Sequence, residues 1–266
     1  MVHSLELRVC QRRYTLKNKD EYLKKIKPLL ETIKKLDVEK YSFGDKTNNP
    51  ILYIQIAEIE LNKSSYYVNI CLMSDNMLGV KSVLYSDNAR KCIIKALSYY
   101  EKAVTNYVDV PFSDYKDKIV YINKIPYKKK NKLIRKLGFA IDVVEGITKE
   151  NTLQKWAFVD IWKRYAVIIK NMLDLKIAAK NDIRLDDYKE IKYHTDLVIT
   201  KLNEAADKLM TKYHVSTHSI DDIQNAITLI SVLIRIQTLL NNRQHVDELK
   251  RKIGAWKRIL NREFKG

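Results

Sequence analysis

Along most of the chain, apolar residues recur at steps of three and four, the spacing of a helix that buries one face. The clearest case lies near the C-terminus, where Val246, Leu249, Ile253, Trp256 and Leu260 form an unbroken seam that predicts a helix over 246–264. The same period predicts helices over 219–241, 185–213 and 152–180. It also predicts one over 130–145 with Leu133, Leu137, Ile141 and Val144 inward, closed by Gly146. Ser86 or Asp87 starts another, running to 107 with Ile93, Ala96, Leu97, Tyr100 and Val104 on one stripe.

The first third has a less regular pattern. Leu5, Leu7 and Val9 alternate with Glu6, Arg8 and Cys10, which predicts a short strand or extended lead-in. Asp20 opens a helix with Leu23, Ile26, Leu30 and Ile33 on one face, and Pro28 inside it should kink it or restart it. Asn49-Pro50 is a good helix start for 51–61, although Leu52, Ile54 and Ile56 also alternate as a strand would. The segment 108–128 contains Pro111 and Pro126 and no sustained period, so it reads as a linker with a short extended piece over 119–122. The expected fold is all-α: a multi-helix bundle or irregular helical-hairpin array with a short extended N-terminal segment. Its parts are a mainly helical 1–107, the linker, and a helical bundle over 129–266.

Ala96, Tyr100 and Ala103 resemble the small-residue face of the second helix of a tetratricopeptide repeat, which implies close helix packing of that kind. The resemblance covers about eight residues, with no matching first helix and no 34-residue period.

Composition narrows the classes further. With 46% apolar residues the chain can bury a core, and 6 Gly and 4 Pro among 266 residues are too few for a sheet sandwich or a linker-rich protein. The three cysteines, Cys10, Cys71 and Cys92, form no CxxC and suit small core residues in a reducing compartment. The most apolar stretch, 226–240, is interrupted by Arg235 and is shorter than the ~20 residues of a membrane span. The N-terminus lacks the apolar run of a signal peptide. A soluble, intracellular protein is expected.

Charge changes the picture most. The formal net charge is +17, and it is bunched. Lys124, Lys128, Lys129, Lys130, Lys132, Arg135 and Lys136 fall in one stretch without an acid. Lys250, Arg251, Lys252, Lys257, Arg258, Arg262 and Lys265 fall in another with Glu263 alone, and Arg8, Arg12, Arg13, Lys17 and Lys19 form a third group. Such clusters attract polyanions by counterion release. Cations at the start of a helix oppose its dipole, a penalty that a docked anion would remove. Tyr14, Tyr121 and Tyr127 lie beside these charges and are placed to stack on bases.

Other chemistry is thinner. His214 and His218 are spaced four apart, but 215–217 looks like a helix end and no acidic third ligand is adjacent, so no metal site is expected. His194 sits on an apolar face as a packing residue. Asp182, Asp186, Asp187 and Glu190 fit the first turn of a helix, where acids satisfy free N–H groups. Trp156, Trp162 and Trp256 fall on or near apolar stripes and belong to the core. No GxGxxG, phosphate loop or nucleophile motif is present, so no cofactor and no enzymatic activity are expected.

The expected function is attachment to RNA or DNA without strong sequence choice. Lys124, Lys128, Lys129, Lys130, Lys132, Arg135 and Lys136 are the first candidates for phosphate contacts, and Arg251, Lys252, Lys257 and Arg258 the second. The alternative is a helical adaptor whose inter-helix grooves hold a segment of a protein partner.

Overall fold

The computed structural model describes residues 2–43, 49–109, 116–148, 152–180 and 182–264, with side chains from residue 18 onward apart from 116, 152–154 and 264. Among the described residues the protein is all-helical. In chain order the helices are α1 (Val2–Ser42), α2 (Pro50–Leu78), α3 (Val83–Ala103), α4 (Lys116–Asn123), α5 (Tyr127–Thr148), α6 (Thr152–Met172), α7 (Leu175–Lys180), α8 (Tyr188–Lys212), α9 (Ile220–Leu239) and α10 (Arg243–Phe264). A π-helical turn, Tyr213–Thr217, joins α8 to α9.

Local sequence explains where these elements begin and end. Asn49 caps α2 by accepting from the Ile51 N–H at 3.0 Å, and Pro50 occupies the first turn, where no N–H is needed. Gly79 closes α2 in the left-handed region at φ +63°, its N–H bonding back to the Asp75 carbonyl. Ser219 caps α9 by accepting from the Asp221 N–H.

Several sequence expectations need correction. The region of Leu5, Leu7 and Val9 is helical backbone continuous with α1, because a lone strand has no ladder to join here. Pro28 neither ends nor restarts α1: it lies on the exposed side, where the carbonyl that loses its bond can face water. Residues 119–122 belong to α4 rather than to an extended piece. Gly146 lies inside α5, which runs on to Thr148. The helix expected over 152–180 breaks after Met172, where the Asp174 carboxylate accepts from the N–H groups of Lys176 and Ile177 and so starts α7.

Helices pack mainly against their neighbours in sequence, so the molecule is an array of hairpins. α2 and α3 share the most extensive contact, α5 packs on α6 and on the α2–α3 pair, and α8 lies on α6. α9 then lies on α8, and α10 on α9. Ala96, Tyr100 and Ala103 are fully buried, as close packing requires. One apolar cluster extends from Ile54 in α2 to Ile253 in α10, and Ile119, Ile122 and Ile125 of the 108–128 segment are buried in it. A smaller cluster of Tyr22, Ile26 and Ile33 with Ile70 seats α1 on α2. Beside it, the buried Glu60 lies 2.6 Å from Lys40 and 3.3 Å from Lys63, which itself reaches Asp37 at 2.5 Å.

Gly138 leaves room on α5 for the Tyr165 side chain of α6. A Cβ there would stand 2.7 Å from the Tyr165 hydroxyl oxygen, which donates to the Ile134 carbonyl at 3.1 Å. Among the described residues, no helix is long and apolar enough to cross a membrane.

Candidate nucleic-acid interface

α5 carries the lysine-rich run, and its periodicity decides which cations reach solvent. Residues 128, 132, 135 and 139 recur at steps of four, three and four and share one stripe. Lys128, Lys132, Arg135 and Phe139 are all exposed there, as are Lys129 on the flank and Lys124 in the turn before the helix. The stripe from Lys128 to Phe139 spans roughly 16 Å at 1.5 Å per residue. Among the described residues, none of Lys124, Lys128, Lys129, Lys132 and Arg135 stands in an ion pair with a carboxylate.

The remaining two lysines of the run turn away. Lys136 points to α2, 3.0 Å from Asn62 Oδ1 and 3.7 Å from Glu58 Oε1. Lys130 is a correction to the expectation of a phosphate contact: it is fully buried. It precedes Leu133, Ile134 and Leu137 on the inward stripe, so helix geometry carries it into the core. Lys130 Nζ donates to Asn123 Oδ1 at 3.0 Å and lies 4.1 Å from the centre of the Tyr127 ring, while the Asn123 amide donates to Asp174 at 2.7 Å. Burial pushes the Lys130 ammonium down to about 8, against the opposing pull of Asp174 and Asp187. Tyr127 is buried too and cannot stack on a base, and the Tyr14 side chain lies outside the described residues.

α8 completes the face. Asn131 donates to the Glu190 carboxylate at 2.6 Å and to the Glu190 carbonyl at 2.9 Å, which fixes α8 beside the start of α5. This brings the Tyr193 ring to 5.8 Å from the Arg135 guanidinium carbon. Lys189, four residues before Tyr193, is exposed on the same face of α8. On the other side, Lys124 Nζ lies 4.8 Å from the centre of the Tyr121 ring. Sequence reasoning missed Tyr193 and Lys189. Their only signal was a phase in α8 that sets them opposite the buried Ile191 and His194, and choosing α5 as their neighbour needed the tertiary packing.

The α10 candidates sit elsewhere. Arg251, Lys257 and Arg258 are exposed and unpaired among the described residues, whereas Lys252 lies 2.7 Å from Asp207 and 2.8 Å from Asn203 on α8. Asn203 is thirteen residues beyond Glu190, roughly 20 Å along that helix, so the two basic surfaces are separate. The side chains of Arg8, Arg12, Arg13 and Lys17 lie outside the described residues.

Of the other candidates, His194 is a packing residue, while His214 and His218 are exposed. His194 is fully buried with Nε2 2.9 Å from the Ile169 carbonyl, and burial pushes its imidazole down to about 4. His214 and His218 meet the Tyr213 ring edge-on at 5.0 and 5.8 Å. Among the described residues, no group of three or more His, Cys, Asp or Glu could hold a metal ion. Trp162 is half-buried and donates to Glu145 at 2.7 Å.

Fold and surface together define an all-helical protein with exposed cations on α5 and in the turn before it that stand in no ion pair among the described residues. The chain belongs to the TP0443 family, which it matches over residues 11–263. No curated protein and no solved structure matches it.

Proposed function

We propose that this protein is a non-enzymatic binding protein that attaches to RNA or DNA through the α4–α5 face. The observation that carries the reading is that Lys124, Lys128, Lys129, Lys132 and Arg135 are exposed together with no carboxylate partner among the described residues. An interior-facing or ion-paired lysine has little to gain from a phosphate, whereas these five are free to release counterions. Lys128 and Lys129 stand exposed in the first turn of α5, which holds no acid, so an anion there also relieves their conflict with the helix dipole. Phosphate contacts of this kind give affinity without reading base sequence. The buried, unpaired thiols of Cys71 and Cys92 fit a reducing, intracellular setting.

The test is a titration of labelled oligonucleotides at several salt concentrations. Five phosphate contacts give a slope of log affinity against log salt of roughly −3.5 on a single strand or −4.5 on a duplex. Charge reversal of Lys129, Lys132 and Arg135 to Glu should abolish most of the binding and flatten the slope. Weak, salt-independent binding would exclude the reading.

A second reading, a protein-interaction adaptor, is supported by one groove. Between α7 and α9, Leu175, Val232, Ile236 and Leu239 line an apolar cleft of about 530 Å³, and Leu239 is half exposed. In that case the charge-reversal variant keeps its protein partner, and Leu239→Glu loses it.

A further inference from the structure

We propose that the α4–α5 face takes single-stranded rather than duplex nucleic acid, with Tyr121 and Tyr193 stacking on unpaired bases while the cations beside them hold the phosphates. The inference rests on the nucleic-acid reading above and adds the class of strand. Its basis is the company the cations keep. Tyr121 is 45% exposed and Tyr193 40% exposed, and each has a basic group held against its ring, Lys124 in one case and Arg135 in the other. Phe139, 71% exposed, follows Arg135 by one turn on the same stripe.

Some tyrosines of this chain find aromatic neighbours, Tyr53 with Tyr99, Tyr67 with Tyr85, and Tyr165 with Trp162, while Tyr41 and Tyr107 are exposed singly. Among the described residues, neither Tyr121, Tyr193 nor Phe139 has such a neighbour. Single exposed rings are ordinary on a protein surface. Three of them among five unpaired cations make a surface with flat apolar platforms set between phosphate-binding points.

A duplex cannot use such platforms. Its base faces are stacked on one another, and it offers a protein only groove edges and two phosphate rails. A single strand exposes base faces beside its phosphates, and aromatic stacking on them is tolerant of sequence, because every base has a π-face. α5 is also poorly placed to enter a groove: its other sides are packed against α2, α3, α6 and α8, which leaves one stripe outward. Phosphates and base faces are common to both sugars, so RNA and DNA strands share the proposed mode.

The experiment compares the full chain against single-stranded RNA, single-stranded DNA and a blunt DNA duplex of equal length and mixed sequence, at fixed salt. Single strands of at least one sugar type are expected to bind at least ten-fold tighter than the duplex. Tyr121→Ala with Tyr193→Ala should weaken single-strand binding about 100-fold, roughly ten-fold per ring, and leave duplex binding within about two-fold. Tyr121→Phe with Tyr193→Phe keeps both rings and should restore wild-type affinity, which separates stacking from loss of the hydroxyls or misfolding. Equal, salt-dependent affinity for strand and duplex, or an unchanged alanine variant, overturns this inference and leaves the broader reading standing. Salt-independent binding to all three probes overturns both.

Discussion

Replacing Lys130 with Met tests whether helix phase, rather than local composition, decides what each lysine of the basic run does. Wild-type Lys130 is buried with Asn123, Tyr127 and Asp174 around it, and burial holds its pKa near 8 against an ordinary 10.5. At neutral pH the folded state therefore keeps a charge it would rather lose, at a cost of about 3 kcal/mol by proton linkage. The sign follows from the depressed value. Below pH 8 the lysine is charged in both states and the full penalty applies. As pH rises from 8 towards 10.5 the folded state gives up the proton first, and stability increases.

Between pH 7 and pH 10 the wild type should gain about 2.5 kcal/mol relative to Lys130→Met, which has nothing to titrate there. The variant also leaves Asn123 Oδ1 without its donor, a loss of about 1 kcal/mol that does not vary with pH. Lys170, pushed by burial to about 8 in its own site, contributes equally to both proteins and cancels in the difference. Urea denaturation of the two proteins at pH 7, 8, 9 and 10 measures the quantity directly. Parallel stability curves would refute the argument. So would a fall in oligonucleotide affinity comparable to that of Lys129→Glu, because a buried ammonium makes no phosphate contact.

Gly138→Ala places a methyl 2.7 Å from the Tyr165 hydroxyl, so calorimetry should show a loss of about 1–3 kcal/mol despite the better helix propensity of alanine, and a smaller loss in a Tyr165→Phe background. Glu60→Gln removes the buried carboxylate between Lys40 and Lys63 and should cost about 3 kcal/mol in chemical denaturation. His194, held down to about 4, should stay neutral by imidazole NMR until pH falls near 4. The folded state then loses about 3 kcal/mol as pH drops from 6.5 to 4, because the unfolded chain takes up the proton first.

How much of this was legible in the sequence depended on whether a residue's role was set within its own helix. The stripes of α5, α8, α9 and α10 follow from spacing alone, and so does the inward turn of Lys130, which precedes Leu133 and Ile134 on the apolar stripe. Reading that run by charge density and not by phase is what misplaced it. The break after Met172 depended on one aspartate side chain folding back on two N–H groups, a contact that apolar periodicity does not encode. α4 was hidden because eight residues between prolines are too few to show a period. Tyr193 could not be assigned to the basic face until the pairing of Asn131 with Glu190 set α8 against α5.

The Lys40–Glu60–Lys63–Asp37 arrangement and the bare cations of α5 are two charge systems with unlike responses to added ions. At physiological ionic strength the Debye length is about 8 Å, which mutes exposed charges and hardly reaches a carboxylate enclosed by protein. Glu60 is enclosed, and it holds the C-terminal end of α1 to α2. On the proposed reading, added salt should strip a polyanion from α5 while α1 stays clamped in place, so a salt titration would read binding on a scaffold that does not itself come apart.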